Sequence, residues 1–152
     1  MDKVLFVCTA NICRSPMAEA IFNALMENEG LTTHVRSAGT SALTGRGLAP
    51  NASAALEEIG VYANDHRARQ VSEALLEDAD LILTMSSRHV EELGQIYGNL
   101  SGRAYTLPEY TGGVGGIPDP YGHTMFAYRA CARQLLDNLD LLVKRLVSLG
   151  VT

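Results

Sequence analysis

Tryptophan is absent from this chain, aromatic residues make up only 6% of it, and cysteine occurs three times. So small and odd a cysteine count excludes a disulfide framework. A chain of 152 residues needs none, because at this size about 68–70% of the unfolded surface is buried on folding. A reducing cytoplasm is therefore the expected compartment, and any reactive cysteine is expected to be catalytic or redox-active. Basic residues are also few: 12 Lys and Arg stand against 17 Asp and Glu, a net charge of −5, and the arginines are scattered. That excludes the clustered basic footprint of a nucleic-acid binder. No stretch reaches the about 18 apolar residues of a membrane span, and a Cys-rich segment interrupts any signal-peptide reading near the N-terminus. His34, His89 and His123 lack metal-ligand spacing, so neither a metal nor another cofactor is expected. With no repeat, linker or low-complexity tract, residues 1–152 read as one domain, and a monomer is expected.

What is present alternates between strand and helix. Val4-Leu-Phe-Val7 is a buried-strand run, and Ser15-Pro16 reads as the N-cap and first residue of a helix with Met17, Ile21 and Leu25 four apart, ending at Gly30. Thr32 to Arg36 predicts a second strand running into a small, polar Ser37-Ala-Gly-Thr40 loop. Pro50 to Glu58 predicts a helix with Leu56 and Ile59 on one face, and residues 72–77 a shorter one. Asp80 to Thr84 reads as a strand, Ser86 or Ser87 as the cap of a helix to Tyr97, and Arg103 to Leu107 as a fourth strand. Residues Pro108 to Gly122 hold five glycines and three prolines and read as a loop throughout. Apolar positions 132, 135, 139, 142, 146 and 149 predict a long final helix whose stripe is core, with Cys131 as a small core residue. The implied fold is α/β: a four-stranded parallel sheet with helices on both faces and ligand-binding loops at the carboxyl ends of the strands.

The loop after the first strand carries the chemistry. It begins with the Cys8 thiol and reaches the Arg14 guanidinium after five intervening residues, beside a helix start. Inward backbone N–H groups, the positive end of that helix and a permanent cation would favour a thiolate, and the same features bind a phosphate dianion. Thr9 and Ala10 are small enough for the backbone to approach an anion, and Asn11 tolerates a left-handed conformation. Ile12 must either pack into the core or face the mouth. Asp119, between two prolines, reads either as a turn residue or as an acid.

Cys8-Thr-Ala-Asn-Ile-Cys13-Arg14-Ser15-Pro16 resembles the phosphate-binding signature of the low-molecular-weight protein tyrosine phosphatases, and Asp119-Pro-Tyr121 resembles that family's late Asp-Pro motif. The likeness extends through Ser37-Ala-Gly-Thr40, His66-x-Ala-Arg-Gln70 and the final helix. It implies metal-free, two-step phosphate-ester hydrolysis of a phosphorylated protein substrate. Cys8 resembles the nucleophile, Arg14 the oxyanion ligand and Asp119 the general acid and then base. The loop Thr9, Ala10, Asn11, Ile12, Cys13, Arg14 and Ser15 would bind phosphate, with Ser15 stabilising the thiolate. Asn11, Ser37 and His66 would buttress that loop. Cys13 resembles the thiol that closes a reversible disulfide with Cys8 under peroxide.

Ile12, Leu43 and Tyr121 would line the substrate pocket. Leu43 stands where tyrosine-specific members often carry an aromatic wall, and Tyr121 is followed by Gly122 and His123 rather than a second aromatic. The Tyr110-Thr-Gly-Gly and Asp119-Pro-Tyr-Gly stretches resemble a branch that dephosphorylates arginine, but that branch tends to have Thr at the position of Ile12. Phosphotyrosine is therefore the first expectation and phosphoarginine the alternative. Arsenate reduction would need relay cysteines that residues 80–100 lack. A phosphate-binding module without turnover would not need Asp119.

Overall fold

The computed structural model describes residues 2–151. In chain order the elements are β1 (Lys3–Cys8), α1 (Arg14–Glu29), β2 (His34–Gly39), α2 (Pro50–Glu58), α3 (Glu73–Asp78), β3 (Leu81–Thr84), α4 (Ser87–Tyr97), β4 (Ala104–Thr106), α5 (Leu107–Tyr110) and α6 (Met125–Ser148). The strands form one parallel sheet in the order β2-β1-β3-β4. Alternate side chains of β1 serve opposite faces, which is why its run is apolar without interruption. Val4, Phe6 and Cys8 join the larger core under α1, α2 and α6, while Leu5 and Val7 join the smaller one under α3 and α4. Phe6 meets Phe22 of α1 edge to face, with centroids 5.8 Å apart. The fold is thus the expected four-stranded parallel sheet with helices on both faces, in one domain.

Register brings the functional loops together. Cys8 pairs with Gly39 and Val7 with Thr84, so the carboxyl ends of β1, β2 and β3 lie side by side.

Several boundaries differ from the sequence expectation. Helix α1 begins at Arg14, with Cys13 in the N-cap position and no side-chain cap. Ser15 is not the cap because its hydroxyl is engaged by Cys8 and Asn11. Pro16 is still within the first turn, where a missing N–H costs nothing. On the same helix Phe22 and Met26 are buried while Leu25 sits at the flank of the stripe. Strand β2 runs on through Ser37 to Gly39, because Phe6 to Cys8 offer it partners. Within the Gly- and Pro-rich stretch, Leu107–Tyr110 forms a short helix, with Pro108 in its first turn and the Thr106 hydroxyl accepting from the Glu109 N–H. Ile59 and Leu149 are exposed, each lying just past the end of its helix.

Candidate active site

The loop from Cys8 to Cys13 is shaped by its carbonyls. Those of Cys8, Thr9, Ala10 and Ile12 accept the backbone N–H groups of Thr40, Ser41, Leu43 and Ala49 at 2.9–3.1 Å. The Asn11 carbonyl accepts from His66 Nε2 at 2.7 Å, which fixes that ring with its proton on Nε2. Every carbonyl from residue 8 to 12 is therefore drawn outward by a neighbouring segment. The N–H groups of Ala10 to Cys13 have no protein acceptor among the described residues, which is what an anion nest requires.

Asn11 makes the turn. It is the only non-glycine residue with positive φ among those described, at 58°, and it is fully buried. Its amide nitrogen donates to Ser15 Oγ at 2.8 Å and to Ser37 Oγ at 3.0 Å, and its oxygen accepts from the Arg69 N–H at 2.9 Å. Gly39 makes the close approach possible, because a Cβ there would lie 2.4 Å from the Thr9 carbonyl oxygen.

Cys8 sits at the floor, with its Sγ 2.8 Å from Ser15 Oγ. Since Ser15 accepts from Asn11, its one proton is shared between the sulfur and the more distant Ala38 carbonyl, 3.4 Å away, and the short contact favours the sulfur. Arg14 is only 5% exposed and donates from Nη1 to the Ile117 carbonyl at 3.0 Å. Its Nη2 lies 3.5 Å from Thr9 Oγ1 and 3.5 Å from Asp119 Oδ2. The Asp119 loop is anchored by the Ile117 N–H donating to the Met85 carbonyl at 2.7 Å and by Thr106 Oγ1 donating to the Gly115 carbonyl at 2.8 Å. Asp119 itself is half exposed, and its Oδ1 accepts from the Tyr121 N–H at 3.1 Å.

These groups enclose a cavity of about 200 Å³ lined by residues 8–14 together with Ser41, Leu43, Asp119 and Tyr121. Leu43 and Tyr121 are exposed at its rim. Ile12 contributes to the lining but is 2% exposed and packs into the main core, so the choice between core and mouth falls to the core. Ser37 and His66 lie behind the loop rather than in the cavity.

Two further thiols surround the site. Burial pushes Cys13 up to about 11, and its Sγ lies 3.7 Å from Tyr128 Oη. Burial likewise pushes Cys131 up to about 12. All three cysteines are free and buried.

Sequence reasoning weighed His89 only as a metal ligand and gave it no place in the site. It is fully buried, with Nε2 2.9 Å from Thr9 Oγ1 and Nδ1 3.0 Å from Ser86 Oγ. Burial, followed by the charge of Arg14, lowers its pKa from 6.5 to about 4. The available signal was its place three residues after the Ser86 N-cap, on the helix that follows a central strand.

A parallel α/β sheet whose first strand ends in a cysteine beside a loop of unpaired N–H groups and a buried arginine has the layout of a phosphoryl-handling thiol site. The model of the low molecular weight phosphotyrosine protein phosphatases matches residues 3–149, and the chain belongs to that family of cysteine-dependent hydrolases. It is 40% identical to the protein-arginine-phosphatase of Bacillus subtilis, over 94% of this chain and 95% of that protein. It is 37% identical to the low molecular weight protein-tyrosine-phosphatase PtpB of Staphylococcus haemolyticus, over 88% and 92% of the two chains. Among solved structures, a low molecular weight protein tyrosine phosphatase from T. tengcongensis superposes with a TM-score of 0.92 at 38% identity, over 95% and 99% of the chains. A YwlE arginine phosphatase mutant with a phosphorylated active-site serine superposes with a TM-score of 0.91 at 38% identity, over 95% of each chain.

Proposed function

We propose that the chain hydrolyses phosphotyrosine in phosphorylated proteins through a phosphocysteine on Cys8. The observation that carries this reading is the outward tethering of five consecutive carbonyls, which leaves a nest of N–H groups above a cysteine sulfur and beside a buried arginine. The phosphate oxygens take those N–H groups and the paired N–H groups of Arg14. The Cys8 thiolate attacks phosphorus, the bond from phosphorus to the phenolic oxygen breaks, and Asp119 gives its proton to that oxygen. Asp119, now a carboxylate, takes a proton from a water as its oxygen attacks phosphorus. The sulfur–phosphorus bond breaks, and inorganic phosphate leaves with Cys8 restored. Ser15 donates to the sulfur when it carries the negative charge, and Asn11, Ser37 and His66 hold the loop in shape. We assign the enzyme to the cytoplasm as a single-domain monomer working without a metal.

The pocket supports an aromatic substrate, because Leu43 and Tyr121 offer an apolar rim and Ile12 contributes no hydroxyl. Turnover of an aryl phosphate should vanish in Cys8→Ser, and retained activity would refute the mechanism.

The relative named protein-arginine-phosphatase favours a second reading, phosphoarginine hydrolysis by the same two steps. Rates on matched phosphotyrosine and phosphoarginine peptides decide between them. Phosphotyrosine should be preferred by the wild type, and Ile12→Thr should move the ratio toward phosphoarginine. A wild type faster on phosphoarginine would replace the first reading with the second.

A further inference from the structure

His89 takes no part in the two displacement steps, yet it is the one fully buried histidine among the described residues and is bound at both ring nitrogens. Its partner Thr9 is the first residue after the nucleophile, and Thr9 Oγ1 also faces Arg14 Nη2. Arginine can only donate, so the Thr9 oxygen is the acceptor there. That leaves the Thr9 proton for His89 Nε2 in the tautomer that carries its proton on Nδ1, which then donates to Ser86 Oγ. In that tautomer donation runs in one direction, from Arg14 through Thr9 and His89 to Ser86, with each intermediate group both accepting and donating.

The link matters because of what else holds Nη2. Its other partner is Asp119 Oδ2. When Asp119 carries the proton that it must deliver to the leaving oxygen, the ionic attraction is gone. Thr9 is then the remaining side chain on that end of the guanidinium. We propose that His89 is a positioning residue for Arg14: by fixing the Thr9 hydroxyl, it keeps the guanidinium aligned on the phosphoryl oxygens during the step in which Asp119 is neutral. A protonated ring could not accept from Thr9, and burial together with Arg14 keeps His89 neutral well below pH 6.

This role rests on the phosphatase reading. Three substitutions separate it from simple packing: His89→Gln leaves an amide atom near the Nε2 position, His89→Asn leaves one near Nδ1, and His89→Phe leaves neither. The readouts are kcat and KM on an aryl phosphate, and the inhibition constant of inorganic phosphate as a probe of the oxyanion grip. Loss of a bond that orients a charged group predicts that His89→Phe and His89→Asn lower kcat about tenfold and weaken phosphate binding by a similar factor, with His89→Gln within about threefold of wild type. Thr9→Val should match His89→Phe, and the double variant should be no worse than either.

Equal effects of Gln and Asn, a folded His89→Phe with wild-type kcat and phosphate binding, or multiplied losses in the double variant would each overturn the proposal. Should His89→Phe not fold, Thr9→Val decides alone: unchanged phosphate binding refutes the link. Retained turnover in Cys8→Ser would refute the reaction and not the link, which phosphate binding still reads.

Discussion

Asn11 concentrates more structural demand than any other side chain of the site. It holds a left-handed backbone at φ 58°, donates to two serines, accepts from the Arg69 N–H and offers its carbonyl to His66. In Asn11→Ala the buried Ser37 hydroxyl and Arg69 N–H lose their partner, and an alanine is left in the left-handed region. The combined cost should be about 3 kcal/mol of stability. Denaturant unfolding measures this, and turnover should fall at least tenfold because the nest loses its turn. A loss below about 1 kcal/mol would mean that the network is not what holds the loop. The thiols give a second test. Cys13 and Cys131 are buried and pushed up to about 11 and 12, so near neutral pH they remain thiols, while Cys8 lines the cavity proposed to take the phosphate. Iodoacetate, itself an anion, should alkylate Cys8 alone, and inorganic phosphate should protect it. Peptide mapping that finds Cys131 or Cys13 labelled first would refute that order.

The loop between α5 and α6 shows how one backbone contact positions an element. A Cβ on Gly116 would lie 2.4 Å from the Met85 carbonyl oxygen, beside the bond from the Ile117 N–H to that same oxygen. In Gly116→Ala the loop must lift away from the end of β3, carrying Ile117 off Arg14 and Asp119 away from the cavity. General-acid help counts most where the leaving group is poor. The variant should therefore lose more kcat/KM on a phenyl phosphate of high leaving-group pKa than on a nitrophenyl phosphate, while phosphate still competes. Equal losses on both would place the damage in the nest. Sequence reading reached the strand, the Cys-to-Arg spacing and the helix start of residues 4–16, because those signals are local. It could not place Gly39 or Gly116, whose necessity lies in backbones that meet them from the loops after β1 and β3. It also misplaced the α1 cap, since Ser15 looks like an N-cap until Cys8 and Asn11 are brought to it by the turn between them.

Across the whole molecule, the two-faced apolar pattern of β1 and the alternation of strands with helices carried the architecture, whereas contacts between distant loops did not show in it. The Thr9–His89 contact joins residues 80 positions apart, and no spacing rule reaches that far. That contact also ties global stability to pH. In the folded chain burial is the largest cause disfavouring protonation of His89, the charges of Arg14 and Arg88 act in the same direction, and Asp119 acts against them as the smallest of the four. Its pKa falls from 6.5 to about 4 on folding. The unfolded chain therefore binds a proton at this residue below about pH 6.5 that the folded chain refuses, and stability must drop as the pH falls. The loss begins near the unfolded value, grows to the folded one and then levels off, amounting to about 2 kcal/mol once solvent relaxation is allowed for. Glu58 and Asp78 are held below their ordinary values by Arg129 and Lys3, so their contributions fade only at lower pH. Urea unfolding of the wild type from pH 7 to pH 4.5 should show the decline, and His89→Gln, which has nothing to protonate, should follow a flatter curve over that window. Parallel curves for the two proteins would mean that His89 accepts its proton in the folded state as readily as in the unfolded one, contrary to a ring sealed between Thr9 and Ser86 beside a buried arginine.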